Sequence, residues 1–295
     1  MGKIDREGYV RAGGHRLFYR RFGEPVRGTV LALHGGPGLT HEYLTPLADL
    51  AGAGYELVLY DQFGCGRSGR PTSYRDYTIR SAADDVERVR LGLRLGRAHL
   101  FGHSYGGALA LEAAIRRPRA WRSLTVSSGF ASMQSLWKSL RLRLSQLSPP
   151  NRAALLGSDR TGEITAATSR AVEEYRRRFT EHMENKPYEI RLTFEHANRR
   201  ILTAMGFAAR RIYDRGFVRG TMAGWDVTAE LPRIRLPTLV TVGQFDHVTP
   251  LCAREIHRAI RHSRLVIARG QGHLPMFEDR DRYISLLRAF LRKSD

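Results

Sequence analysis

One segment, residues 98–118, constrains the fold of this chain more than any other. A short apolar run leads into Gly-His-Ser-Tyr-Gly at 102–106, and an alanine-rich stretch with helical spacing continues to Pro118. A serine placed in this way between a strand and a helix is typical of a nucleophile elbow, a turn in which only glycine fits on either side. Because so short a motif also arises by chance among 29 glycines, the prediction that Ser104 is a nucleophile depends on partners elsewhere.

Short apolar runs alternate with helical patterns along much of the chain. After a hairpin pattern at 8–21, the apolar runs predict buried strands and the amphipathic stretches predict helices. This alternation predicts an α/β fold in which a mostly parallel central sheet carries helices on both faces. The predicted strands are 29–33, 56–60, 98–101, 124–126, 238–242 and 264–267, and the predicted helices outside the elbow are 79–95, 251–260 and 280–291.

Residues 130–225 differ in character from the segments on either side. The stretch 171–200 is densely charged with a helical pattern, and no buried-strand run appears. We therefore predict a helical cap at 130–225, inserted into a catalytic domain made of residues 1–129 and 226–295. The alternative is a set of further helices packed directly on the sheet. Within this segment, helical spacing is also seen in four leucines, Leu136, Leu140, Leu144 and Leu147.

Two polar residues follow late strands of the predicted sheet. Asp246 comes just after 238–242 and His273 just after 264–267, so both lie at the edge that would carry Ser104. The order Ser, Asp, His is that of α/β-hydrolases. A serine hydroxyl needs a neutral imidazole to take its proton, and the imidazole needs a carboxylate to fix its tautomer. The pattern predicts Ser104, Asp246 and His273 as the catalytic residues.

A glycine-rich segment, His-Gly-Gly-Pro-Gly at 34–38, directly follows the first predicted buried strand. Such a loop lets backbone N–H groups approach a ligand closely, as an oxyanion hole requires. We predict that Gly36 and Tyr105 supply these groups, with Gly35 as the alternative to Gly36.

Four residues near these motifs compete with the predicted triad. His34 and His103 flank glycines inside the two motifs, His247 follows Asp246, and Asp61 follows an earlier strand. We interpret His34 and His103 as structural and Asp61 as a residue that braces its loop.

Composition excludes several classes of protein. The chain of 295 residues has no stretch of 18 or more apolar residues, and its charged first ten residues lack the apolar core of a secretory signal. Cys65 and Cys252 are the two cysteines, and they give neither a disulfide framework nor metal-ligand spacing. We therefore expect a cytoplasmic enzyme with no cofactor and no metal.

The formal net charge is +19, and only four of the 48 basic residues are lysines. A compositional bias toward arginine is one explanation. The other is a basic surface for an acidic partner, such as a carrier protein that presents the substrate. Because no nucleic-acid motif accompanies the charge, we expect a small-molecule or short aminoacyl substrate and no nucleic-acid or membrane partner.

Taken together, the motifs resemble those of the proline iminopeptidase-like α/β-hydrolases, the group that includes the tricorn-interacting aminopeptidases. The resemblance implies an α/β-hydrolase fold and release of an N-terminal aminoacyl group, often proline, through an acyl-enzyme and without a metal. It covers most of the predicted catalytic domain and is weaker in the cap. The segments that carry it are H-G-G-P-G at 34–38, D-Q-F-G-C-G-R-S at 61–68, G-H-S-Y-G-G at 102–107, G-Q-F-D-H-V-T-P at 243–250 and G-H-L-P-M-F-E-D-R at 272–280.

The positions that hold the substrate ammonium in such aminopeptidases depart from the family pattern. His247 occupies the place of one carboxylate, and Arg215 lies near the place of another, shortly before Trp225. Basic residues there would repel an ammonium and attract an anion. We keep Glu42, Arg215, Trp225 and His247 as candidate substrate-binding residues. Other acids that could hold a cation are Glu174, Glu181, Glu184, Glu195 and Asp214.

Two functions are predicted as alternatives. The first is a metal-independent serine hydrolase of the aminopeptidase or amidase type, which cleaves a small aminoacyl amide, such as a specialised biosynthetic intermediate, through an acyl-enzyme. The second is an esterase, lactonase or thioesterase that acts on an apolar or anionic acyl substrate. Both use the same triad, because the reactions differ mainly in the leaving group.

Overall fold

The strands of the sheet follow the apolar runs of the sequence. The computed structural model describes residues 6–75, 77–180, 183, 186–207, 216 and 219–294. Its strands are β1 (Arg6–Ala12), β2 (His15–Phe22), β3 (Gly28–Leu33), β4 (Tyr55–Tyr60), β5 (Ala98–His103), β6 (Trp121–Ser127), β7 (Thr238–Gly243) and β8 (Ser263–Ala268). They form one sheet in the order β1-β2-β4-β3-β5-β6-β7-β8. The pairs β1–β2 and β2–β4 are antiparallel and the other neighbours are parallel, which confirms the predicted fold class.

Alternate side chains of each central strand pack on opposite faces of the sheet. In β3, Leu31 and Leu33 belong to the core on one face, and Val30 and Ala32 belong to the core on the other. Because both faces are covered, these strands appear in the sequence as continuous apolar runs instead of alternating ones.

Helices cover both faces of this sheet. On one face lie α1 (Ile79–Gly92), α2 (Tyr105–Arg116) and α8 (Pro250–Ala259), and on the other lie the 3-10 helix Glu42–Ala53 and α10 (Arg280–Arg292). A short helix α9 (Pro275–Glu278) precedes α10. None of the described helices is long and apolar enough to cross a bilayer.

The described residues between β6 and β7 form five α-helices and a 3-10 helix (Thr228–Arg233), and they add no strand to the sheet. The two ends of the segment meet at a β-bridge between Ser132 and Asp226, beside a 3.0 Å hydrogen bond from the Met133 N–H to the Trp225 carbonyl. The limits 130–225 of the cap stay a prediction. The helices are α3 (Met133–Ser145), α4 (Pro149–Thr161), α5 (Ala166–Phe179), α6 (Tyr188–Glu195) and α7 (Arg199–Met205).

The charged stretch 171–200 is not one continuous helix. Within it, α5 ends at Phe179, α6 begins after Pro187, and Asn198 caps α7 by accepting the Arg200 N–H at 3.1 Å. Proline has no N–H to continue a helix, and asparagine competes for backbone hydrogen bonds, so both residues favour helix ends.

The sheet changes direction at β3, which has β4 on one side and β5 on the other. In open parallel sheets, ligands bind at such a switch point, beyond the carboxyl ends of the strands. The segment Gly35–Gly36 follows β3 and Ser104 follows β5, while Asp246 and His273 follow β7 and β8. The predicted site residues therefore share one edge of the sheet.

Candidate active site

Ser104 lies in the strained turn that its flanking glycines predict. Its φ of 58° and ψ of −125° place it at the N-cap of α2, directly after β5. A Cβ on Gly102 would overlap the carbonyl oxygen of Gly106, and a Cβ on Gly106 would overlap that of Leu33. Any other residue at these two positions would therefore displace backbone, which explains why the motif needs glycine on both sides of the serine.

His273 and Asp246 form a buried hydrogen-bonded pair. Nδ1 of His273 lies 2.8 Å from Oδ1 of Asp246, which also accepts the Val248 N–H at 2.8 Å. Since the carboxylate accepts, Nδ1 carries the proton, and Nε2 is left to take a proton from a hydroxyl. Ser104 and His273 line one cavity, so the residues predicted as the triad converge at this place.

Burial sets the charge state of this pair. It lowers the pKa of His273 to about 3, so the ring is neutral at neutral pH, as a general base must be. Burial also raises the pKa of Asp246, while the Val248 N–H and the guanidinium of Arg143 act in the opposite direction.

Arg143 is a part of the site that the sequence did not predict. From α3 its Nε donates to the carbonyl of Asp246 at 2.9 Å, and its Nη2 donates to the carbonyl of Gln244 at 2.8 Å. A helix of the segment between β6 and β7 thus holds the loop that carries Asp246. Only a long-range contact reveals this role, because nothing near Arg143 in the sequence marks it.

The two predicted oxyanion donors lie at the same edge of the sheet, after β3 and β5. Gly35 donates its N–H to the Tyr43 hydroxyl at 2.6 Å, which favours Gly36 over Gly35 as the donor to an oxyanion. Within the described residues, the N–H groups of Gly36 and Tyr105 have no acceptor. An acceptor arriving from a substrate would therefore find both groups available.

The cavity beside Ser104 is narrow and mostly apolar. Its volume is about 60 Å³, and α6 contributes Ile190, Thr193 and Phe194 to its wall. Apart from two histidines and the Tyr43 hydroxyl, no ionisable side chain lines the part of the cavity that the structure describes. The other lining residues are Gly35, Gly36, Leu39, Tyr43, His103, Ser104, Thr180, His273 and Leu274.

Glu42 and His247 lie near this cavity without lining it. The Glu42 carboxylate is buried, contacts Nδ1 of His196 at 3.1 Å and accepts the Thr40 hydroxyl. The ring of His247 packs on that of His273 with 4.1 Å between centroids. Burial lowers the pKa of His247 to about 3, so it is neutral at neutral pH and the charge repulsion expected from it does not arise.

The remaining substrate-binding candidates lie elsewhere or outside the described residues. Trp225 is half-buried, donates its indole N–H to Glu112 at 3.0 Å and packs against Phe130. Glu174 accepts hydrogen bonds from α4 and Glu195 is exposed. Arg215, Glu181, Glu184 and Asp214 lie outside the described residues.

The rivals of the triad make structural contacts. His34 accepts the Gln62 N–H at Nε2 (3.0 Å) and donates from Nδ1 to the Gly35 carbonyl (2.9 Å). Asp61 accepts the Arg67 N–H at 2.9 Å and lies 2.7 Å from Nδ1 of His41, so it braces its loop. His103 places Nε2 2.8 Å from the carbonyl oxygen of His273.

Among the residues that the structure describes, two groups bring candidate metal ligands together. Their ligand atoms lie within 4.8 Å of one another. Within each group a histidine Nδ1 already shares a proton with a carboxylate, which accounts for the clustering without an ion. The groups are Asp246, His247 and His273, and His41, Glu42 and Asp61.

Ser104 lies at a strained strand–helix turn, at the same sheet edge as the Asp246–His273 pair and the two N–H groups without an acceptor. This arrangement is typical of a serine hydrolase of the α/β-hydrolase class. A family model described as alpha/beta hydrolase fold matches residues 28–280. The chain is 34% identical over 290 residues to a proline iminopeptidase of Saccharolobus solfataricus, a match that covers 97% of this chain and 92% of the relative.

Two solved structures agree with this relationship. The crystal structure of a proline iminopeptidase from Mycobacterium smegmatis has a TM-score of 0.89 at 27% identity, over 98% of each chain. The structure of VinJ has a TM-score of 0.91 at 28% identity, over 99% of this chain and 100% of that one. The chain belongs to the proline iminopeptidase-like family of α/β-hydrolases, and it is a serine hydrolase of the aminopeptidase type.

Proposed function

We propose that this enzyme releases an uncharged, apolar aminoacyl group, proline among them, from the N-terminus of a short peptide or aminoacyl amide. The observation that carries the proposal is the apolar cavity beside Ser104, whose wall includes Leu39, Ile190, Phe194 and Leu274. Burying apolar groups of a substrate against such a wall contributes about 0.8 kcal/mol per methylene. The name of the curated relative, proline iminopeptidase, supports an apolar imino acid as one substrate.

The reaction proceeds in two steps. Nε2 of His273 takes the Ser104 proton as Oγ attacks the carbonyl carbon, and the N–H groups of Gly36 and Tyr105 stabilise the oxyanion. The imidazolium, stabilised by Asp246, then gives its proton to the leaving amine, which departs and leaves an acyl-enzyme. Water, activated by the same imidazole, hydrolyses the ester and restores the serine.

A panel of aminoacyl nitroanilides tests this specificity. Proline, alanine and leucine derivatives are compared with aspartate and lysine derivatives, and each with its N-acetylated counterpart. We expect kcat/KM to be about 100-fold higher for the apolar derivatives, because an unpaired charge in an apolar cavity costs several kcal/mol. Turnover of N-acetylated substrates or simple esters, with none on any free amine, would overturn the proposal and favour the esterase alternative.

We also propose that the enzyme works in the cytoplasm. The support is that Cys65 and Cys252 are both free and buried, as expected for a chain without structural disulfides. Burial raises the pKa of Cys252 to about 12, so that thiol is inert at neutral pH. Recovery of the enzyme in an exported fraction of the cells that produce it would contradict this location.

A further inference from the structure

We propose that a basic groove beside the active site docks an acidic polypeptide segment that extends from the scissile bond, an inference that rests on the proposed function. The basic groove consists of two adjoining depressions of about 450 and 730 Å³. Arg70 lines the first, Arg75 and Arg199 line the second, and Arg200 lines both. Ser73 and Tyr74 are likewise shared by the two depressions.

The positive charge of the groove is not neutralised within the described residues. The guanidinium of Arg70 donates to the backbone carbonyls of Gly64 and Gly66, which leaves its charge uncompensated. Arg75, Arg199 and Arg200 are exposed, and none of the ion pairs between described residues involves them. By contrast, arginines on several other surfaces are paired, for example Arg176 with Glu173 and Arg233 with Glu230. A partner that brings carboxylates would supply the missing counter-charges.

Asn198 attaches the groove to the oxyanion loop. Its N–H donates to the Gly38 carbonyl at 2.7 Å, two residues from Gly36, while its Nδ2 donates to the Tyr74 hydroxyl and to the Gly64 carbonyl, each at 2.8 Å. Asn198 lines the groove, and Leu39, which follows Gly38, lines the catalytic cavity. The groove therefore adjoins the loop that carries Gly36, and the proposal places the residues that follow the scissile bond in the groove.

The distribution of charge favours a chain over a compact anion. Of the four arginines, Arg200 lines both depressions, and the other three divide between them. A single phosphate would meet one end of this arrangement, whereas carboxylates spaced along a polypeptide meet both. Planar guanidinium groups bind carboxylates through paired hydrogen bonds, which adds selectivity to the attraction.

Two synthetic peptides test the groove. They share an apolar N-terminal residue and the same scissile bond, and they differ in a following run that is glutamate in one and glutamine in the other. We expect kcat/KM for the glutamate peptide to be about 10-fold higher at low ionic strength, with the advantage shrinking as salt is added. In the double variant Arg199→Gln/Arg200→Gln, most of that advantage is lost while kcat/KM for the glutamine peptide stays within about 2-fold of wild type.

The matched control is Arg261→Gln/Arg264→Gln, which removes two exposed arginines at the β8 edge of the sheet. The control keeps the preference for glutamate if the groove is the docking site, and an equal loss in the control overturns the proposal. Equal kcat/KM for the two peptides in wild type also overturns it, yet leaves the proposed function intact because both peptides are cleaved. Inhibition by inorganic phosphate that disappears in Arg199→Gln/Arg200→Gln would assign the groove to small anions instead.

Discussion

The Tyr43 hydroxyl lies 3.0 Å from Nδ1 of His103. Because Nε2 of His103 faces a carbonyl oxygen, which only accepts, Nε2 carries the ring proton and Nδ1 accepts from the Tyr43 hydroxyl. The same hydroxyl accepts the N–H of Gly35, and the carbonyl that His103 binds is that of His273. Two buried side chains thus connect the oxyanion loop, the nucleophile elbow and the loop of the catalytic base, and we refer to them as the Tyr43–His103 pair.

Removing the Tyr43 hydroxyl should lower kcat more than it changes KM. In Tyr43→Phe the N–H of Gly35 loses its acceptor. The neighbouring N–H of Gly36 is then no longer held in the position that stabilises the oxyanion. We expect kcat to fall about 10-fold, less than the ~100-fold or more that follows loss of an oxyanion donor itself. The control is Tyr283→Phe, which removes a buried hydroxyl that donates to Ser127 at 2.8 Å. Equal kcat values in the two variants would contradict this role.

His103 should act through its position and not through its charge. Burial, together with the neighbouring His273, lowers the pKa of His103 well below its ordinary value, so the ring stays neutral in the working range. We expect His103→Gln, which keeps an N–H donor, to retain most of kcat, while His103→Leu loses about 10-fold or more because the His273 carbonyl loses a buried partner. Steady-state kinetics on an apolar aminoacyl nitroanilide measures the difference, and indistinguishable kcat values for the two variants would exclude the interpretation.

The buried histidines predict that stability falls on acidification. Burial lowers the pKa of His34 and of His103 in the folded chain, whereas both titrate near 6.5 when unfolded. Below about pH 6.5 these two histidines therefore bind protons in the unfolded chain but stay unprotonated in the folded chain. The free energy of unfolding should be highest above that pH and fall below it, by up to about 1.4 kcal/mol per pH unit for each histidine.

Urea unfolding across this pH range measures the slope. His103→Gln should reduce the slope below about pH 6.5, since it removes one group that binds a proton only when unfolded. His262→Gln, at an exposed position, serves as the control. An unchanged slope in His103→Gln would show that the acid sensitivity has another source.

Replacing two glycines by alanine should change the stability of the folded chain in opposite directions. At Gly106 a Cβ would overlap the backbone of Leu33, so Gly106→Ala should disrupt the elbow and yield little folded, active protein. At Gly157, inside α4, a Cβ meets no atom within 4 Å, so Gly157→Ala should raise the free energy of unfolding by about 0.5–1 kcal/mol. Thermal unfolding compares the two, and a destabilised Gly157→Ala protein would contradict the packing described here.

Local pattern led to the prediction of Ser104, Asp246 and His273, because each comes shortly after a strand and the carboxyl ends of parallel strands meet at one edge. It was not sufficient for Tyr43 or Arg143. Their partners lie 60 and about 100 residues away along the chain, so only the packing of the helices on the sheet brings them together.

The residues of the cavity wall likewise could not be predicted from local sequence pattern. Ile190, Thr193 and Phe194 lie on α6 at spacings that place them near one another on a helix. The spacing cannot tell which surface that part of the helix meets, and the charged pattern around it predicted a longer helix than the chain forms. Substrate specificity is therefore the part of the site that sequence predicts least.

The activation of Ser104 by His273 is tested most directly by covalent labelling with a fluorophosphonate, followed by peptide mass mapping. The account predicts one adduct, on Ser104, with no adduct and no aminoacyl nitroanilide turnover in Ser104→Ala. It also predicts labelling slowed by about 100-fold or more in His273→Gln, since the base that activates the hydroxyl is lost. An adduct on another residue, or turnover retained by Ser104→Ala, would contradict the assignment of the catalytic residues.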